Sequence, residues 1–212
     1  MKKVLILGAN GQIAKIVSHD LLSEDIDQRL FLRRSSRLTT KNPKKQEIIE
    51  GDALNQADLE VAMKDVDIVY ANLAGEIIEE AKLVVSAMKK TGVKRLIWIS
   101  TLGIYDEVPG NYGKWNHQQL DGGYLETYAE AAKIIEASEL DYTIIRPAWL
   151  DNKDEIDYEL TQRNETFKGT EVSRKSIAHL VSQIILNPDQ HIGESLGVNK
   201  PNTDGDKPAW IK

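Results

Sequence analysis

The chain has no cysteine. Disulfides, a thiolate nucleophile and a cysteine-ligated metal are therefore excluded. No apolar run approaches the roughly 18–20 residues that a membrane-spanning helix needs. Met1-Lys2-Lys3 is followed by only four apolar residues, Val4–Leu7, which is too short for the core of a signal peptide. Positive charge is not in excess either: 27 Lys and Arg stand against 33 Asp and Glu, a formal net charge of -6. That balance argues against a general nucleic-acid-binding surface. No His/Asp/Glu spacing resembles a metal site, and no Gly-x-Ser-x-Gly turn offers a nucleophile. The expectation is a cytoplasmic monomer or homodimer with neither membrane nor nucleic acid as partner.

What the chain does have starts at once. Val4-Leu5-Ile6-Leu7 reads as a buried strand and runs directly into Gly8-x-x-Gly11-x-x-Ala14, after which Ile13, Ile16, Val17 and Leu21 mark one face of a helix. Gly8 permits a tight turn, Gly11 lets the main chain approach phosphates, and small Ala14 lets helix and strand pack closely. The free N–H groups and positive dipole end of the helix suit an anion. This is a cradle for a dinucleotide pyrophosphate, with Gly8, Asn10, Gly11, Gln12 and Ile13 as its contact residues.

Strand-like and helix-like segments alternate along all 212 residues, a length suited to one domain with a substantial core. Further strands are expected at 29–33, 47–50, 66–70, 94–99 and 142–145, the last closed by Pro147. Helices are expected from Asn55 as cap to about 63, from about 76 to Gly92, over 123–138, and from Ser173 as cap to about Leu186. A long polar loop fills about 100–120. Such alternation implies a doubly wound α/β fold of the Rossmann type, a parallel sheet with helices on both faces. Residues 1–212 are expected to form a single dinucleotide-binding domain, with 150–172 and 190–212 as a less regular C-terminal elaboration of short strands and loops over the substrate end of the sheet.

The nucleotide's identity is legible at the end of the second strand. An acidic residue about 20 positions past the glycine turn would bind ribose hydroxyls; here stands Arg33-Arg34-Ser35-Ser36-Arg37. Guanidinium forks pair with a 2′-phosphate that a carboxylate would repel. NADP(H) is thus the expected cofactor, held by Arg33 first and Arg34 second.

Several longer stretches resemble the atypical short-chain dehydrogenase/reductases of the NmrA-like, NAD(P)H-binding family. They are Leu7–Ala14, Glu50-Gly51-Asp52-Ala53-Leu54, Ile99–Tyr105 and Leu140–Ala148, whose Arg146-Pro147 ends a strand. The resemblance implies that Asp52 and Ala53 lie near the adenine amino group and that Asn72, Leu73 and Ala74 run under the adenosine ribose. It also implies that Pro147, Ala148 and Trp149 border the nicotinamide.

Short-chain reductases use a Tyr as general acid and, four residues on, a Lys that lowers its pKa. By alignment with this pattern the Tyr falls on Tyr124, but the Lys position falls on Tyr128. Lys133 is five residues beyond Tyr128, about 140° around the helix, and cannot substitute by simple geometry. Ser100 and Thr101, after the fifth strand, could orient a carbonyl beside Tyr124. Tyr105, Tyr112, Trp115 and His117 on the 103–122 segment suggest a roof over a small-molecule substrate. Two readings follow: an NADP(H)-dependent oxidoreductase acting on a small carbonyl, quinone or flavin-type acceptor, or a non-catalytic NADP(H)-binding sensor. A sugar-nucleotide epimerase is weaker, since such relatives keep the Tyr and Lys.

Overall fold

The computed structural model describes residues 2–120 and 122–211; Met1, Lys212 and Asp121 of the expected roof lie outside it. The chain runs β1 (Lys2–Leu7), α1 (Gln12–Asp20), β2 (Ile26–Leu32), β3 (Gln46–Glu50), α2 (Gln56–Ala62), β4 (Ile68–Ala71) and α3 (Ile77–Thr91). It continues through β5 (Arg95–Ile99), α4 (Gly110–Gln119), α5 (Tyr124–Glu136), β6 (Asp141–Pro147), β7 (Trp149–Asp151), β8 (Glu159–Thr161), β9 (Glu171–Ser173), α6 (Arg174–Leu186) and β10 (Glu194–Asn199).

Eight strands form the main sheet in the order β3-β2-β1-β4-β5-β6-β10-β8. All neighbours pair in parallel except β8, which runs antiparallel to β10 at the edge. The order reverses at β1, whose two neighbours are β2 and β4, so the crevice of a doubly wound sheet opens there.

Alternation along the central strand sorts the two layers. Val4 and Ile6 share a core with Ile13, Ala14 and Val17 of α1 and Ile177 and Val181 of α6. Leu5 and Leu7 share the opposite core with Val84 and Met88 of α3 and Ala131 and Ile135 of α5. Helix ends are set as the sequence reads: Asn55 Oδ1 accepts from Ala57 N at 2.9 Å, Gly92 closes α3 at φ +79°, and Ser173 Oγ accepts from Ser176 N at 2.9 Å.

Two segments differ from expectation. Residues 110–119, expected as loop, form α4, a helix of low amphipathicity held by its aromatics rather than by an apolar stripe. Tyr112 is buried and its hydroxyl donates to Thr170 O at 3.0 Å. The tail after 190 does carry a strand, but β10 extends the parallel sheet beside β6 instead of lying over its end. Its Ser195, Leu196, Val198 and Asn199 are buried, but a central glycine and flanking polar residues hide the strand pattern.

A buried ion pair ties these late elements to the sheet. Arg146 of β6 is fully buried and bonds Glu107, whose side chain is 4% exposed. Glu107 also accepts from Gly103 N and Tyr105 N, both at 3.0 Å, while Arg146 reaches Ser195 Oγ and O at 3.1 Å. Removing one partner of such a pair strands the other charge in the interior. Glu107→Ala is expected to cost about 3–5 kcal/mol in urea unfolding, and Glu107→Gln less, since its carbonyl still accepts.

Candidate functional site

The carboxyl ends of the central strands converge on one cavity of about 550 Å³, within the usual size range for small-molecule sites. Gly8, Asn10 and Gly11 line it from the turn after β1, and Arg33, Arg34 and Arg37 from the segment after β2. Gly51, Asp52 and Ala53 contribute beyond β3, Asn72, Leu73 and Ala74 beyond β4, and Phe31 and Leu32 form its floor. Glu80 enters from the first turns of α3.

The turn is fixed by close approach. Gly8 sits at φ +73°, where a Cβ would lie 2.2 Å from Asn72 O; a Cβ on Gly11 would lie 2.1 Å from Asn72 Nδ2. Gly8 N and Ala9 N both donate to Phe31 O at 3.1 Å, and Asn72 N donates to Leu7 O at 3.0 Å. Gly11 caps α1 with extended backbone and no side-chain hydrogen bond. The first N–H groups of a helix have no intrahelical partner, so a negatively charged ligand group fits here without competition from a cap.

The arginines are positioned by the chain after β2. Residues Ser35–Arg37 make one 3-10 turn, and Ser35 donates through both N (2.7 Å) and Oγ to Glu50 at the end of β3. Those hydrogen bonds hold the Glu50 carboxyl below its ordinary pKa. The turn also adds Arg37 to the cavity, a residue the strand-end argument left out. Asp52 Oδ1 accepts from Leu54 N at 3.0 Å, so one of its oxygens serves the local turn.

Glu80 was also missed. It lies three residues after Ile77 and four before Val84, on the buried stripe of α3, and only 7% of it is exposed. A carboxyl on an apolar stripe is the signal that would have found it. Its Oε2 is buried without a hydrogen-bond partner. Burial pushes its pKa up to about 7, Arg33 pulls it down, and Asp52 and Glu76 raise it further.

The remaining candidates are not among the residues that line this cavity. Gln12 and Ile13 open α1, with the Ile13 side chain turned into the core. Pro147 ends β6, and Ala148 is buried next to it. Trp149 packs on Trp115 with ring centroids 4.8 Å apart and donates through Nε1 to Asn116 Oδ1 at 2.9 Å, which turns it toward α4. Ser100 is buried with its Oγ unpartnered, and Thr101 follows it half-buried. Tyr124, the first residue of α5, is 42% exposed, with its ring 4.6 Å from that of Tyr128. Tyr128 is buried, and burial, a hydrogen bond with Tyr124 and the charge of Glu80 all raise its pKa. Lys133 turns away to Glu130 on the exposed face of α5.

The expected roof is tied down. The guanidinium groups of Arg146 and Arg163 lie over the Tyr105 ring, 5.1 and 4.6 Å from its centroid, and its hydroxyl donates to Glu136 at 2.5 Å. Tyr112 stacks on Trp115, and exposed His117 lies 3.5 Å from Asp106. Among the described residues no group of His, Cys, Asp and Glu could hold a metal, and no helix is long and apolar enough to cross a membrane.

A glycine cradle at the sheet's switch point, opening onto a helix N-terminus, defines a Rossmann-type dinucleotide-binding domain. Residues 8–188 match the NAD(P)H-binding family, to which this chain belongs. A Rossmann-fold NAD(P)-binding family protein from Shigella flexneri is 49% identical, with a TM-score of 0.85 over 100% of both chains. A short-chain dehydrogenase/reductase from Veillonella parvula, solved in complex with NADP, is 30% identical, with a TM-score of 0.93 over 99% of both chains. An isoflavone reductase homologue from Nicotiana glauca is 26% identical over 163 residues, 69% of this chain and 48% of that protein. The chain thus spans about half the length of that relative.

The raised pKa of Glu80 has a stability consequence. The folded protein holds this proton more tightly than the unfolded chain, so the contribution is full below about pH 4.5 and lost as pH rises toward 7. Without ligand, Glu80→Gln is expected to gain about 2–3 kcal/mol relative to the parent between pH 4.5 and pH 8. Urea unfolding of both proteins at the two pH values checks it.

Proposed function

We propose that the protein is an NADP(H)-dependent oxidoreductase that reduces a small carbonyl, quinone or flavin-type acceptor. One observation carries the cofactor choice: Arg33, Arg34 and Arg37 gather where the ribose of the adenosine half would lie, and no carboxylate ends β2. The NADP complex of the Veillonella relative agrees with this reading. The turn at Gly8–Gly11 and the N-terminus of α1 hold the pyrophosphate, the arginines pair with the 2′-phosphate, and Asp52 and Ala53 flank the adenine.

A bound nicotinamide dinucleotide supplies hydride chemistry. The chain's own part is to position an acceptor at the carboxyl ends of β5 and β6. There the unpartnered hydroxyl of Ser100 can donate to an acceptor oxygen, with Thr101 next to it. The Tyr–Lys acid of short-chain reductases is not assembled. Tyr128 occupies the Lys position, and its phenol, with pKa raised by burial, stays protonated. Tyr124 therefore lacks the lysine partner of that pattern, and the proton that completes reduction comes from solvent. Quinones and flavins suit such a site, because their reduced forms take protons readily from water.

The same missing Lys favours a second reading, an NADP(H)-binding sensor without turnover. A panel of quinones, flavins and aldehydes with NADPH separates the two. Oxidation of NADPH with at least one acceptor is expected, and Tyr124→Phe should leave that rate within about twofold. Tight NADPH binding with silence across the panel supports the sensor. In calorimetry, Arg33→Glu/Arg34→Glu is expected to weaken NADPH at least ~10-fold more than NADH, or about 1.4 kcal/mol. Equal loss for both would remove the 2′-phosphate assignment.

A further inference from the structure

We propose that the Glu80 carboxyl recognises the adenosine half of the dinucleotide directly, bound as a neutral acid that donates one hydrogen bond and accepts another. The inference deepens the cofactor reading above and rests on it.

Its basis is geometric. Glu80 reaches the cavity from α3, whereas the other polar side chains of the lining come from strand ends and the glycine turn. Only 7% of the residue is exposed, and Oε2 has no hydrogen-bond partner in the protein. A buried polar atom left unpaired against a ligand cavity is costly unless the ligand pairs it. The groups facing it are mixed: Arg33 beyond β2 favours its ionised form, Asp52 beyond β3 and Glu76 at the cap of α3 disfavour ionisation, and Tyr128 of α5 lies within its field. None of them forms a hydrogen bond with Oε2.

Adenine presents an exocyclic N–H donor beside a ring-nitrogen acceptor. A neutral carboxyl offers the matching pair, an accepting C=O and a donating O–H. A carboxylate only accepts and would meet the ring nitrogen lone pair to lone pair. Binding through the neutral form requires proton uptake wherever the free protein holds Glu80 ionised. Affinity is therefore level below neutral pH and falls as pH rises above it.

Calorimetry with NADPH at pH 7 and pH 8.5, each in two buffers of different ionisation enthalpy, reads both the affinity and the protons exchanged. The 2′-phosphate, with a second pKa near 6, is already largely ionised over this range. The parent is expected to lose about tenfold in affinity between the two pH values and to take up close to one proton per NADPH at pH 8.5. Glu80→Gln keeps a donor and an acceptor but cannot titrate. It should hold its pH 7 affinity at pH 8.5 and take up no proton.

Parallel affinities and equal proton counts in the two proteins would overturn the proposal. So would a parent with flat affinity and no uptake, a result that needs no variant to fold. No NADPH binding by the folded parent at either pH would remove the cavity assignment itself. Normal binding without linkage would leave that assignment standing and remove only Glu80.

Discussion

The separation between the turn after β1 and the end of β4 is the constraint on which the site depends. The Asn72 carbonyl lies so close to Gly8 that no side chain fits there, and the Asn72 side chain fills the space a β-carbon at Gly11 would take. β1 and β4 are hydrogen-bonded neighbours in register from Val4–Ile68 to Leu7–Ala71, so this proximity follows from parallel pairing rather than from any single contact. Once the strands pair, the glycine turn, the open start of α1 and the backbone after β4 must share one crevice. A β-carbon at Gly11 would have to push the Asn72 side-chain amide aside.

Charge is arranged differently at the two ends of that edge. At the end of β6, Arg146 and Glu107 are buried together, with further hydrogen bonds to Ser195, Gln162 O and the backbone of 103–105. That pair fastens the 103–108 segment and, through Tyr105, binds it to α5 and β10. Beyond β2 and β3 the charges stay open to the cavity, with three arginines gathered and Glu80 buried but unpaired. The closed cluster fixes structure, whereas the open one leaves its interactions to a ligand.

Much of the fold was legible because its signals are local. The apolar run Val4–Leu7, the caps at Asn55 and Ser173, and the left-handed Gly92 depend on near neighbours in sequence, and each stands where the pattern puts it. α4 and β10 were not legible. The first is held by Tyr112, Trp115 and the distant Trp149, and the second takes its burial from β6 and β8 on either side. The aromatics of 105–117 read as a roof because composition cannot say which way a ring points. Packing turns the Tyr105 ring to two arginines and Trp115 toward Trp149.

The sequence by itself determined the class of fold, the glycine cradle and the basic turn after the second strand, since each rests on spacing along one short stretch. Tertiary structure alone decided that Arg37 joins Arg33 and Arg34, because the bond from Ser35 to Glu50 of a neighbouring strand turns the chain there. It alone decided that Glu80, one of two adjacent glutamates at the start of a helix, is the buried one facing the cavity. Burial, and the pKa that burial sets, belong to what packs around a residue, and the charges that bear on Glu80 stand beyond β2, beyond β3 and at the cap of α3.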